Sequence, residues 1–135
     1  CLADLTGREP TSLEVRGAGV ILHDFYSAVE HFLERVAVEL NGGLPAGQDS
    51  HAQLLRRMTR AVEGVRPAVI DEVLGHRLHE YLRFRHLFRH GYGFALEWSQ
   101  LASLLEGQQA LAPELRRQLS AFAGVVEGLA ERLAP

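Results

Sequence analysis

The residues best suited to do chemistry are gathered between His76 and Phe94, in HRLHEYLRFRHLFRHGYGF. This stretch carries His76, His79, His86 and His90, four of the seven histidines, and the arginines Arg77, Arg83, Arg85 and Arg89. Glu80 is its one acid, although the chain as a whole has a formal charge of −3. A basic, aromatic-flanked block inside a slightly acidic chain points to a local anionic ligand. Imidazoles as a class exchange protons near neutral pH. Guanidinium groups present a fork of donors that matches phosphate oxygens. Together with a neighbouring phenol such as Tyr92, groups like Arg85 and His90 suit chemistry on a phosphate. The His-Glu-x-x-His pattern and a cysteine pair are both absent, so a native metal site is not expected, nor is any cofactor.

These groups need a platform. On an ideal helix, at about 100° per residue, Leu74, Leu78, Tyr81, Leu82 and Phe88 fall on one arc, with Arg85 near its centre. His76, His79, Arg83, His86 and His90 form a stripe on the opposite side. A guanidinium on an apolar arc is costly to bury without a partner. Three arrangements satisfy it. Arg85 snorkels to solvent, pairs with an acid of the first helix, where Asp24 and Glu30 are available, or faces a cleft that holds a phosphate. The histidine stripe also has an ordinary reading, as a solvated polar face.

The rest of the chain reads as helical scaffold. Apolar residues recur at three- and four-residue steps from Leu13 to Leu40 (Val20, Ile21, Phe25, Ala28, Val29, Phe32, Leu33, Val36 and Leu40), which predicts a long amphipathic helix. Asn41-Gly42-Gly43 with Pro45 stops it. Asp49 or Ser50 caps a short helix carrying Leu54, Leu55, Met58 and Val62, ended by Gly64. Pro67 suits a first helical position, so a third helix is predicted from there towards Gly91. A short helix over residues 97–105 follows, and Pro113 opens a last one with Leu115, Leu119, Phe122, Val125, Val126, Leu129 and Leu133 along one side. The expectation is an all-α up-and-down bundle of three long and two shorter helices, a single domain over residues 1–135.

Composition narrows the function classes. No apolar run approaches the roughly 18 residues that cross a membrane. A net charge near neutral argues against bulk capture of DNA. Residues 1–12 lack the basic start and apolar core of a signal peptide. The lone cysteine, Cys1, cannot form an internal disulfide, and a cytoplasmic protein is expected. All 14 basic residues are arginine, a bias to which no function is assigned.

The run Arg85-His86-Leu87-Phe88-Arg89-His90-Gly91-Tyr92 resembles the signature of the HEPN superfamily. It is most similar to the HepT-like toxins: Arg, a polar residue, three variable residues, His, and Tyr two positions later. ILHDFYSAVEHFLERVA, LPAGQDSHAQLLRRM and YLRFRHLFRHGYGFALEW extend the likeness over roughly residues 14 to 130. Ser50, before His51, departs from it, since a large aromatic is expected there. The resemblance implies a homodimeric HEPN-like helical bundle whose motifs line a shared cleft and cut RNA without a metal. It also implies a minimal nucleotidyltransferase (MNT-type) antitoxin as partner, which in some members transfers AMP to the tyrosine. On this reading Arg85 is the phosphate clamp and His90 the general base or acid. His86 orients His90 or the RNA, or is a solvated surface histidine. Tyr92 receives the nucleotidyl group, or is a packing residue with a wet tip. A non-catalytic module that binds nucleotides or docks the transferase would carry the same residues.

One geometric condition is left. Positions five apart on a continuous helix point about 140° away from each other. Arg85 and His90 therefore converge only if the helix loosens before Gly91, or if a second protomer supplies one of them.

Overall fold

Thr11 and Glu14 start the first helix by capping each other. The Thr11 N–H donates to Glu14 Oε1 and the Glu14 N–H donates to Thr11 Oγ1, at 3.0 and 3.1 Å, which satisfies two donors that the first turn leaves open. Helix α1 (Ser12–Leu40) follows. It ends where Gly42 and Gly43 take positive φ and the Gly43 N–H closes on the Ala37 carbonyl, a conformation that glycine adopts at little cost. Among the described residues, the computed structural model has three further helices: α2 (Ser50–Met58), α3 (Glu72–Arg89) and α4 (Trp98–Leu133). The structure describes residues 9–40, 42–89 and 98–133. Among them there is no strand, only an isolated bridge between Val62 and Arg66. The fold is an all-α bundle, as the periodicity predicts.

Helix α1 packs against α2, α3 and α4, and α3 also packs against α2 and α4. All four contribute to one core, with Leu22, Tyr26 and Leu33 from α1, Met58 from α2, Leu74 and Leu78 from α3, and Leu101 and Leu111 from α4. The buried face of α1 keeps the predicted Val29, Leu33 and Val36 and departs from the prediction near the start of the helix. Leu22, Tyr26, Val29, Leu33, Val36 and Ala37 are buried, whereas Val20 and Ile21 are exposed. Small residues explain the shift: Ala18 and Gly19 are also buried, and a Cβ at Gly19 would lie 2.6 Å from the Phe88 ring. The two helices approach through glycine, so the buried stripe runs through position 19.

Three helix boundaries also differ from the expectation: the start at Pro67, the end at Gly64 and the start at Pro113. The third helix begins at Glu72, not Pro67, because Asp71 caps it: Asp71 Oδ1 accepts the Leu74 N–H at 2.7 Å. The Gln118 side chain fixes this cap from α4, accepting the Asp71 N–H at 2.8 Å and donating to Asp71 Oδ2 at 3.0 Å. Residues 59–71 form a tight connection instead. There the buried Arg66 guanidinium donates to the carbonyls of Arg57, Arg60 and Pro67 at 2.9–3.1 Å. The Val69 N–H bonds the Met58 carbonyl, which ends α2 at Met58. Pro113 lies inside α4 and does not open a new helix. Proline in a helix interior forfeits a backbone bond, at about 3 kcal/mol. Leu101, Leu111, Leu115 and Phe122 are buried on both sides of it, and that shared apolar face outweighs the loss. Among the described residues the five expected helices are therefore four. Asp49, expected as a possible cap of α2, directs its carboxylate to Arg56 instead.

Candidate functional site

Helix α3 carries the organising residues, and the apolar arc is where the spacing puts it. Leu74, Leu78, Tyr81 and Leu82 are buried, Phe88 is half-buried, and Phe84 joins them. Tyr81 donates its hydroxyl to the Leu104 carbonyl of α4 at 2.7 Å. Burial pushes its phenol up to about 12, with nearby Arg77 opposing and Glu80 reinforcing the shift. Gly107 lies 3.0 Å, at its Cβ position, from that same hydroxyl, so the absence of a side chain on α4 lets Tyr81 reach the helix backbone.

Arg85 is only 5 % exposed, within this arc. Of the three arrangements open to it, the structure adopts the pairing with an acid of α1, and the acid is Glu30. Arg85 Nη2 donates to both Glu30 carboxylate oxygens at 3.0 Å. Glu30 is itself 4 % exposed. The other acid available, Asp24, lies exposed beside His23. Arg85 Nη1 reaches Ser27 Oγ at 3.4 Å, and the guanidinium sits over the Tyr26 ring, 4.9 Å from its centroid. Ser27, Glu30 and Tyr26 recur at the spacing that puts neighbours on one helix face. The Tyr26 phenol is pushed up, first by burial and then by the Glu30 carboxylate, while Arg85 pulls the other way. Its hydroxyl has no hydrogen-bond partner among the described residues.

The residue that sequence reasoning missed is His51, at the start of α2. Its Nδ1 lies 2.8 Å from Glu30 Oε1 and 3.4 Å from Arg85 Nη2. One carboxylate thus receives a guanidinium from α3 and an imidazole from α2. The signal available in the sequence was the segment around Ser50-His51, read only for its missing aromatic. His51 differs from its partners in exposure: 52 % of its side chain is open to solvent, against 5 % for that of Glu30.

The site opens outward. A cavity of about 360 Å³ is lined by Gln48, His51, Leu82, Arg85, His86 and Arg89. Arg85 is therefore both paired and at a cavity wall, and His86 stands at that wall with it. His76, His79 and Arg83 of the histidine stripe line a separate, larger cavity of about 620 Å³ between α2 and α3, with Arg56, Arg60 and Glu80. His90 and Tyr92 lie outside the described residues. Helix α3 is described to Arg89, the residue before His90. Among the described residues no three histidine, cysteine or acidic side chains converge as metal ligands. Nor is any helix among them long and apolar enough to cross a membrane.

The sequence matches the family described as HepT-like protein over residues 17–126, a span that includes most of α1, all of α2 and α3, the Arg85-to-Tyr92 motif and most of α4. The chain belongs to the HepT-like family. Membership places this HepT-like chain in the HEPN superfamily and agrees with the helical bundle. Comparison with curated proteins and with solved structures gave no match. Within the matched span of this HepT-like protein, the Glu30, His51 and Arg85 cluster is drawn from three helices, at sequence separations of 21, 34 and 55 residues.

Proposed function

We propose that this HepT-like protein is an endoribonuclease that cuts RNA by attack of the ribose 2′-OH, without a metal. The observation that supports this best is the Arg85 guanidinium: a cation fixed by Glu30 at the wall of an open cavity that also presents His51, His86 and Arg89. A phosphate in that cavity meets preset positive charge, which stabilises the transition state without reorganisation. His90 exchanges protons with the ribose hydroxyl or the leaving oxygen, as its place in the motif implies. Two copies of the chain pair so that their motifs line one cleft. An MNT-type nucleotidyltransferase neutralises the activity by transferring AMP to Tyr92. Purified protein with unmodified Tyr92 is expected to degrade RNA in the presence of a chelator, and Arg85→Ala or His90→Ala to abolish this. Intact RNA under those conditions refutes the reading. Incubation with the partner and ATP is expected to add one or more AMP masses at Tyr92.

A second reading has an observation in its favour. Both oxygens of Glu30 accept from Arg85 Nη2, so part of the guanidinium is already engaged. A non-catalytic module that binds a nucleotide or docks the transferase needs no more than the donors that remain. Such a protein would bind the transferase with undiminished affinity after His90→Ala and leave RNA intact.

A further inference from the structure

The Glu30–His51 pair has a geometry that Arg85 pairing alone does not require. A carboxylate accepts hydrogen bonds and does not donate, so the Nδ1 that lies 2.8 Å from Glu30 Oε1 carries the proton. In the neutral ring this leaves Nε2 as the acceptor, with its lone pair on the far side from Glu30. Glu30 is anchored by its two contacts with Arg85, so it holds the ring in one tautomer and one orientation. His51 also lines the cavity that Arg85 lines, and half of its side chain is open. Buried carboxylate, imidazole and open space thus follow one another in the order found wherever an acid orients a histidine base.

Resting on the ribonuclease reading, we infer that His51 is a further catalytic residue, the general base that takes the proton from the ribose 2′-OH. Its Nε2 accepts that proton, and the oxygen's electron pair forms the new bond to phosphorus. The phosphorus–O5′ bond breaks, and the 5′ oxygen leaves with a proton from a protonated imidazole, which in this division of labour is His90. The products are a 2′,3′-cyclic phosphate and a 5′-hydroxyl, with no water consumed. Glu30 then faces the imidazolium that has formed, while Arg85 holds the phosphate from the same wall. Two imidazoles fill the two proton-transfer roles, and neither has to serve both.

The test compares the wild-type protein, free of the transferase and with unmodified Tyr92, with His51→Ala, Arg85→Ala and His90→Ala. Single-turnover cleavage of an RNA oligonucleotide is the main readout. A second oligonucleotide, methylated at the 2′ oxygen of the cleaved position, measures binding without reaction. His51→Ala is expected to slow cleavage by about 10²–10⁴-fold, the range for losing a positioned base. Binding of the methylated oligonucleotide stays within a few-fold of wild type, and the helical circular dichroism is retained because His51 is half exposed. Added imidazole restores part of the His51→Ala rate and none of the Arg85→Ala rate. If His51→Ala cleaves nearly as fast as wild type while Arg85→Ala and His90→Ala are inactive, His51 is not the base and the ribonuclease reading stands. A slow His51→Ala protein that binds poorly and does not respond to imidazole also overturns the assignment. Wild-type protein that leaves RNA intact removes the ribonuclease reading and this inference with it.

Discussion

Replacing Glu30 by leucine would leave the Arg85 guanidinium buried without its anion. Both side chains are almost wholly enclosed, at 6 % and 5 % exposure. What remains for Arg85 is weak contacts to Ser27 Oγ and His51 Nδ1, each at 3.4 Å, and the face of Tyr26. A desolvated cation–π contact contributes on the order of 2 kcal/mol, less than a buried carboxylate that meets the donor with both oxygens. Removing one member of a buried ion pair costs about 3–5 kcal/mol. In a chain of this size each kcal/mol moves Tm by roughly 3–6 °C, so Glu30→Leu is expected to lower Tm by roughly 10–30 °C at pH 7. Arg85→Met is expected to cost less, because Glu30 keeps His51 as a partner at 2.8 Å. The double variant Glu30→Leu/Arg85→Met exchanges the pair for apolar contacts and is expected to recover most of the loss, since such exchanges are often neutral or stabilising. Urea unfolding followed by far-UV circular dichroism gives the three free energies and the coupling between the two positions. A Glu30→Leu protein as stable as wild type, or a double variant no better than Glu30→Leu alone, would refute the argument that this pair is a buried, mutually dependent unit. The double variant has a further use: if it folds well yet has lost RNA cleavage, the ion pair serves the site more than the fold.

Three other outcomes follow from the packing. A Cβ at Gly75 would lie 2.5 Å from the Thr59 methyl carbon, so Gly75→Ala is expected to destabilise by about 1–3 kcal/mol through overpacking. Adding Thr59→Ser removes that methyl and should restore stability in urea unfolding, and a double variant as unstable as Gly75→Ala would contradict this. Arg66→Met deprives the carbonyls of Arg57, Arg60 and Pro67 of their buried donor, and a loss of about 2–4 kcal/mol is expected, with faster amide exchange at Val69 and Ile70. The side chains of Arg117 and Gln118 donate to Glu114 and hold its carboxyl down at about 2. A depressed carboxyl stabilises the fold above its unfolded pKa and stops doing so as pH falls through the folded value. The Glu114 carboxyl is therefore expected to titrate near 2 by NMR, and Arg117→Ala to raise that midpoint towards the ordinary range.

Much of the scaffold is written locally. The arc of Leu74, Leu78, Tyr81 and Leu82 with Arg85 at its centre follows from a period near 3.6 residues, and the structure buries those residues together. The capping box of Thr11 and Glu14 and the glycines after α1 are equally local. The errors fall where a distant segment overrides a local preference. Pro67 prefers a helix start, yet Asp71 is the cap because Gln118, 47 residues away, holds it. Pro113 prefers to interrupt a helix, yet α4 runs through it because the core takes residues on both sides.

The site divides along the same line. Sequence by itself determined that a guanidinium sits on an apolar helix face and has to reach solvent, pair with an acid or meet a phosphate there, because burying an unpaired charge is too costly. It also determined the family, which the match over residues 17–126 shows. Only the tertiary structure decided that the anion is Glu30, that Asp24 is turned to solvent, and that His51 arrives from α2 to share the carboxylate. Those choices depend on the rotation of α1 set by Gly19 against Phe88 and on where the loop after Gly42 delivers the next helix. Periodicity reports which face of one helix is apolar. It contains no term for how that face is turned against residues 21 to 55 positions away.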